Sequence, residues 1–301
     1  MMKLLNYKKG FQSYLKLEKS LSSNSIEAYE RDLFKFLQFL ELRSLNPSPS
    51  EVETSHVQDF LAWLYDIKVG ARSQARILSG IKAFFNYLLM EELVDLNPTS
   101  FVEGPKLGMK IPEVLSIEEI DTIIKTIDLS SKEGERNRAI LETLYGCGLR
   151  VSELINLKIS NLLFEEGFIR VTGKGNKERI VPIGASAIKF IQYYFEHRRN
   201  HQIIKIEADD IVFLNNRGTG LTRVMIFTII KKLCEKANIT KVVSPHTFRH
   251  SFATHLVDGG ADLRAIQEML GHKSITTTEI YTHLDRQYLR EAITQFHPRV
   301  K

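Results

Sequence analysis

The sequence predicts a mainly α chain with a small antiparallel β-sheet, built as a helical N-terminal domain over residues 1–96 and an α+β domain over 114–301. Three observations predict this. Before residue 97 the apolar residues recur at helical spacing. Prolines and glycines then crowd residues 97–113 (Asn97-Pro98, Gly104-Pro105, Gly108, Pro112), a density that no continuous helix accommodates, so the stretch reads as a linker. Beyond it, strand-type segments flank a glycine-rich turn between helical stretches. A length of 301 residues allows two domains, each burying its own core.

In the first domain, Ile26, Tyr29, Leu33, Phe36, Leu37 and Leu40 trace one helical face, with Asn24 and Glu27 spaced to cap its start. A second helix fits Ser55 to Tyr65, where Ser55 and Gln58 have capping-box spacing. A third covers about 73–92, with Ile77, Ile81, Phe84, Phe85, Leu88 and Leu89 as its buried stripe and Arg72, Arg76 and Lys82 on the other side. Helix resumes at Ser116, whose Glu119 completes a capping box ahead of Ile120, Ile123, Ile124 and Ile127. A helix near 136–146 leads to GLRVSELINL, then to a β signal from about 158 to 184, in which FIRV and ERIVPI flank the turn TGKGNK as a hairpin and an earlier strand near 158–164 joins them. From Ser186 onward the pattern is helical, ending in a tail with Leu289, Ile293 and Phe296 at helical spacing.

Composition sets outer limits. Hydrophobic residues at 43% and charged residues at 26% are ordinary for a globular protein, and no run approaches the roughly 18 apolar residues of a membrane span. The opening MMKLLNYKKGF lacks the apolar core and cleavage site of a signal peptide, so the expected location is cytoplasmic. Cys147 and Cys234, far apart and outside any CxxC pattern, point to buried filler rather than a disulfide or thiolate metal site. A net charge of +5 suits a polyanionic partner without establishing one.

The densest chemistry lies in SPHTFRHSFATHL, residues 244–256. Ser244-Pro245 is a strong helix start, because serine caps and proline fits the first helical position. His246 and Arg249, three apart, project from nearly one face in the first turns, where free N–H groups favour an anion. Two readings fit this segment, a phosphate site and a histidine-rich core helix with an exposed arginine. His246 and His250 also have two-ligand spacing, but Thr247 stands where a zinc-protease helix carries glutamate, so metal ligation is the weaker reading and His250 and His255 are expected to be structural. Farther on, Gly271 reads as a helix C-terminal glycine, followed directly by His272, and Ser274 caps a short helix leading to Tyr281. Arg150 opens the helix carrying Val151, Leu154 and Leu157, and Lys174 sits in the hairpin turn. Taken singly, the tyrosine reads as packing, the arginine as a surface cation and the lysine as a solvated turn residue.

Taken in order, GCGLRVSEL, VTGKGNKERIVPIG, SPHTFRHSFATHLVDGGADLRAIQEMLGHKSITTTEIYTHL and the terminal FHPR resemble the tyrosine site-specific recombinases, the phage-integrase family, and within it the bacterial Xer branch. The first domain is similar in its helical layout and in SNSIEAYERDLFKFLQFL. The resemblance implies a SAM-like core-binding domain and a catalytic domain that together clamp DNA as a C. It implies Tyr281 as nucleophile, Arg150 and Arg249 as phosphate clamps, His246 and His272 as hydrogen-bond donors or proton carriers, Lys174 as general acid and Glu153 as an accessory acidic residue. It also makes Arg72, Arg76 and Lys82 expected DNA contacts. Phe248 stands where many relatives have leucine, away from the chemistry.

The chemistry so implied is DNA recombination through a 3′-phosphotyrosyl intermediate, with no cofactor: neither ATP nor a metal is required, and no P-loop pattern is present. The implied partners are a double-stranded recombination site, a homo- or hetero-tetramer on DNA with a paired Xer recombinase, and an FtsK-like DNA translocase as activator. The implied role is chromosome-dimer resolution at cell division, with the tail from Arg286 to Lys301 docking on the neighbouring subunit. Integration of a phage or mobile element is the alternative with the same chemistry. A metal-dependent nuclease and a non-catalytic DNA-binding protein are the alternatives of other classes.

Overall fold

The computed structural model describes residues 3–108, 113–173, 175–271 and 283–299, the side chains of 283–287 excepted. It divides into two compact units, residues 1–110 and 111–301. Among the described residues no helix is long and apolar enough to cross a membrane.

In the first unit, a 3-10 turn at Lys3–Tyr7 leads into α1 (Lys8–Leu17), α2 (Ser23–Leu42), α3 (Thr54–Asp66) and α4 (Ala71–Met90). Phe11, Phe36, Phe60, Phe84 and Phe85 are fully buried at its centre. Phe11–Phe84 and Phe36–Phe60 meet edge-on with centroids 5.2 Å apart, the geometry that aromatic quadrupoles favour. Two expected caps are displaced. Ser22, not Asn24, has the extended backbone a cap requires and accepts the Ser25 N–H, while Asn24 lies inside the first turn. Glu53, not Ser55, precedes α3, and the His56 ring accepts its N–H at 3.0 Å. Helix α4 begins two residues earlier than expected, after an extended Gly70, and Leu89 is exposed because the last turn outruns the core.

Arg76 of α4, one of the expected DNA contacts, is engaged by a carboxylate of its own unit. Both its terminal nitrogens donate to Asp32 of α2 at 2.6 Å, and Asp32 is buried. The expected linker is likewise not free along its whole length. Asn97 Oδ1 accepts from the Thr99 N–H and hydroxyl at 2.8 and 2.7 Å, and Thr99 and Val102 are buried in this first unit.

The second unit opens with α5 (Ile117–Lys125), whose expected capping box is formed: Ser116 N donates to Glu119 Oε2 at 2.7 Å and Glu119 N to Ser116 Oγ at 3.2 Å. Next come α6 (Gly134–Gly146) and α7 (Val151–Ile155), then an antiparallel sheet in the order β1 (Leu162–Leu163), β2 (Phe168–Thr172), β3 (Glu178–Pro182). The hairpin register ends with Thr172 paired to Glu178. The strand expected near 158–164 contracts to β1. Residues Ile159–Asn161 form a 3-10 turn instead, and the backbone beside it bonds to the 210–212 segment, with Ile159 N on Asp210 O at 2.8 Å and Val212 N on Leu157 O at 2.9 Å.

Helices α8 (Ala185–His197), α9 (Arg223–Lys236), α10 (Pro245–Gly259), α11 (Leu263–Leu270) and α12 (His283–Phe296) complete the unit. α6 packs along α8 with α10 beside it. The apolar face of α12 is taken up by its own unit: Leu289 and Ile293 are buried against α10, α11 and β3, and His297, just past the helix, is fully buried. A tail that acts on a neighbour would do so with this stripe already occupied. Cys147 and Cys234 are free and buried, and burial pushes the Cys234 thiol up to about 11.

Candidate active site

Glu153 organises the site. It sits in the first turn of α7, buried, and three arginines converge on its carboxylate. Arg150, the N-cap of α7, donates its backbone N–H to Oε2 at 2.8 Å and Nη1 to Oε1 at 2.7 Å. Arg179 of β3 donates Nη1 to Oε1 at 2.8 Å and Nη2 to Oε2 at 2.9 Å. Arg249 of α10 brings Nη1 within 3.8 Å of Oε2. Burial alone would raise the Glu153 pKa, yet the Arg179 fork and the Arg150 contacts hold it below the ordinary carboxylate range.

The same three arginines hold the end of α11. Arg179 Nε donates to Met269 O at 2.6 Å, Arg249 Nη2 to Leu270 O at 2.5 Å and Arg150 Nη2 to Gly271 O at 3.2 Å. These are consecutive carbonyls at a helix C-terminus, unpaired within the helix and at the negative end of its dipole. The chain leaves there through Gly271 at φ +64°, the left-handed geometry expected of it, and a Cβ at that residue would lie 3.1 Å from Arg179 Cδ.

Arg249 also donates Nη1 to Gly148 O at 2.8 Å. Gly148 has φ +57°, and a Cβ there would meet the Phe252 ring at 2.4 Å, so only glycine lets the chain turn from α6 into Arg150. Burial, followed by the nearby Arg150 charge, brings the Arg249 pKa down to about 9 despite Glu153. Among the described residues, three guanidinium groups against one carboxylate leave two positive charges in excess. Such a site favours an anion, and the Arg150 side chain, about a third exposed (35%), is its face to solvent.

The expected cap of α10 is present: Ser244 accepts the Thr247 N–H and Pro245 occupies the first turn. His246 is exposed on that turn, while Arg249 is buried. His255 is structural as expected, its Nδ1 2.8 Å from the Tyr145 hydroxyl. Lys174, His272 and Tyr281 lie outside the described residues, as does the helix expected from Ser274. In the first unit, Arg72 is exposed, Lys82 half-buried and Arg76 engaged by Asp32.

Sequence reading missed Arg179. The signal was available: in the hairpin register Arg179 faces Val171 and shares a side with Val181, both buried, so strand alternation places this arginine inside.

Residues 113–288 match the phage integrase family, and residues 9–92 match its N-terminal SAM-like domain. The tyrosine recombinase XerD of Staphylococcus saprophyticus subsp. saprophyticus is 44% identical over 289 residues, covering 96% of this chain and 97% of that protein. XerD of Staphylococcus aureus is 43% identical over 286 residues, covering 95% and 96%. Among solved structures, the XerH site-specific recombinase bound to a palindromic difH substrate, a post-cleavage complex, matches with a TM-score of 0.71 at 25% identity, over 95% of this chain and 84% of that one. A helical SAM-like unit and a catalytic unit built around a small antiparallel sheet, matched over nearly their whole length, place the chain in the phage integrase family as a XerD-like tyrosine recombinase, an enzyme that cuts and rejoins DNA.

Proposed function

We propose that the arginine cluster binds the scissile phosphodiester of a double-stranded recombination site, with Arg150 and Arg249 on its non-bridging oxygens and Tyr281 as the attacking group. The observation that carries this reading is the surplus, among the described residues, of two positive charges around Glu153, next to the α11 terminus from which His272 follows by one peptide bond. Phosphoryl transfer builds charge on the non-bridging oxygens, and arginine forks stabilise it without moving.

In this reading the Tyr281 oxygen bonds to phosphorus and the bond to the 5′ oxygen breaks. The tyrosine proton passes to a histidine or water, because a phenol of ordinary pKa about 10 attacks poorly while protonated. Lys174 protonates the departing 5′ oxygen, and His246 and His272 donate to the phosphoryl oxygens or carry the proton. Glu153 acts by orienting the arginines. The 3′-phosphotyrosyl bond keeps the reactivity of the phosphodiester, so a 5′ hydroxyl of a partner strand reverses the step. These residues need no metal or nucleotide for that exchange.

The substrate assignment draws on the DNA-bound XerH complex, and the biological role on likeness to XerD. The role is resolution of chromosome dimers in the cytoplasm at cell division, as a tetramer with a paired Xer recombinase and activated by an FtsK-like translocase. Mapping the bound chromosomal sequence and sequencing the cleavage junctions tests this. A single site near the replication terminus, cut only with a second recombinase present, is the expected result. Junctions at the ends of a mobile element would replace it with the integrase role.

A further inference from the structure

Arg179 has no part in the chemistry proposed above, yet it is the most fully engaged of the three arginines. All three of its guanidinium nitrogens are committed, two to Glu153 and one to the Met269 carbonyl, and the side chain is 6% exposed. Its side chain ties three pieces at one point: β3, which carries it; the first turn of α7, which carries Glu153; and the last turn of α11. The third piece matters most. Its Met269, Leu270 and Gly271 carbonyls are held by Arg179, Arg249 and Arg150 in turn. Two of those contacts belong to the arginines that would bind phosphate, so they are open to competition when an anion arrives. The Arg179 contact belongs to an arginine with no part in phosphate binding in that reading.

We infer that Arg179 is a positioning residue for the cleavage step, pinning the end of α11 to Glu153 so that the chain bearing His272 and Tyr281 leaves from a fixed point relative to Arg150 and Arg249. The inference rests on the phosphate-site reading above. Its physical basis is the fork of arginine. Lysine supplies the charge but only a point donor, and cannot hold a carboxylate and a carbonyl in fixed planes together. Misplacing a reacting group by about 1 Å costs on the order of 10²-fold in rate.

The test is Arg179→Lys in the full-length protein, beside Arg136→Lys, which removes a second buried guanidinium of the same unit that donates to Leu214 O rather than at Glu153. Duplex binding by gel shift, thermal melting, and the single-turnover rate of covalent adduct formation on saturating nicked duplex are measured for each. The expected result is wild-type duplex affinity and a cooperative melt for Arg179→Lys, with cleavage slowed about 10²-fold, and wild-type cleavage by bound Arg136→Lys. Wild-type cleavage by Arg179→Lys overturns the inference, and so does a variant that loses its melt and its DNA binding together, which would make Arg179 a scaffold residue. Tyr281→Phe in the same assay separates the two levels. An adduct from that variant overturns the nucleophile reading, and the inference with it. No adduct from Tyr281→Phe alongside full-rate Arg179→Lys overturns the inference alone.

Discussion

Arg150 and Glu153 close on each other twice across the first turn of α7, through the Arg150 backbone N–H at 2.8 Å and through its guanidinium at 2.7 Å. One carboxylate thereby caps the helix and aims the half-buried Arg150. Because Arg179 and Arg249 converge on the same carboxylate, its removal affects the site as a whole rather than a single contact.

Glu153→Gln is therefore expected to destabilise the catalytic unit by about 3–5 kcal/mol, the usual cost of breaking a buried ion pair from one side. The pH dependence has a definite sign. A carboxyl whose folded pKa lies below its ordinary value near 4.5 contributes stability above that value and loses it as pH falls through the folded pKa. Thermal melts of wild type and Glu153→Gln should thus differ most at neutral pH and converge in acid below the ordinary carboxylate range. A constant difference across pH would contradict this.

His297 gives a second acid response at higher pH. Burial, then the charges of His255 and Arg299, bring its pKa down to about 3, and its ring packs on Tyr145 and Phe252 at 4.8 and 5.2 Å. Between its ordinary value of 6.5 and about 3 the unfolded chain binds the proton and the folded chain does not. Stability therefore falls as pH drops through that window, by about 1.4 kcal/mol per unit. His297→Phe, which keeps a ring, should flatten the acid limb of a Tm-against-pH curve below pH 6.5. An unchanged limb would place the proton uptake elsewhere.

Arg72 and Arg76 should separate in the first unit. Arg76→Ala leaves the buried Asp32 carboxylate without its partner and lowers the melting temperature. Arg72→Ala leaves stability within about 0.5 kcal/mol and, as a phosphate contact, lowers the salt slope of DNA binding by about 0.9. Equal slopes for wild type and Arg72→Ala would return Arg72 to a solvated helix face.

The parts of this chain legible in its sequence were the local ones. The Ser244-Pro245 cap, the Ser116–Glu119 box and the Gly271 terminus are each written within four residues and form as read. Ser55 misled because several polar residues in a row can cap, and the extended backbone at Glu53 decides among them. What stayed hidden were pairings across the fold. Arg76 reaches Asp32 over 44 residues, and Arg179 reaches Met269 over 90. A helical wheel displays Arg76 as the surface cation it is, but cannot show the buried carboxylate of the neighbouring helix that pairs with it. The apolar tail was visible as a helix, but only the structure shows that its stripe of Leu289 and Ile293 is buried in its own unit.

Lys174 can be tested by changing the leaving group. If it protonates the 5′ oxygen, Lys174→Ala should cleave an ordinary duplex slowly, by about 10²–10⁴-fold, yet cleave one with sulfur at the scissile 5′ bridge near the wild-type rate. A thiolate leaves without a proton. Equal defects on both substrates would remove Lys174 from that role.

Peptide mapping of the covalent complex tests the nucleophile. Wild-type protein on a duplex nicked beside the cleavage site should be trapped on DNA, and tryptic digestion should leave the nucleotide on the peptide spanning residues 274–286, at Tyr281, through a 3′ phosphate. A nucleotide on any other residue, a 5′ linkage, or an adduct from Tyr281→Phe would contradict the account.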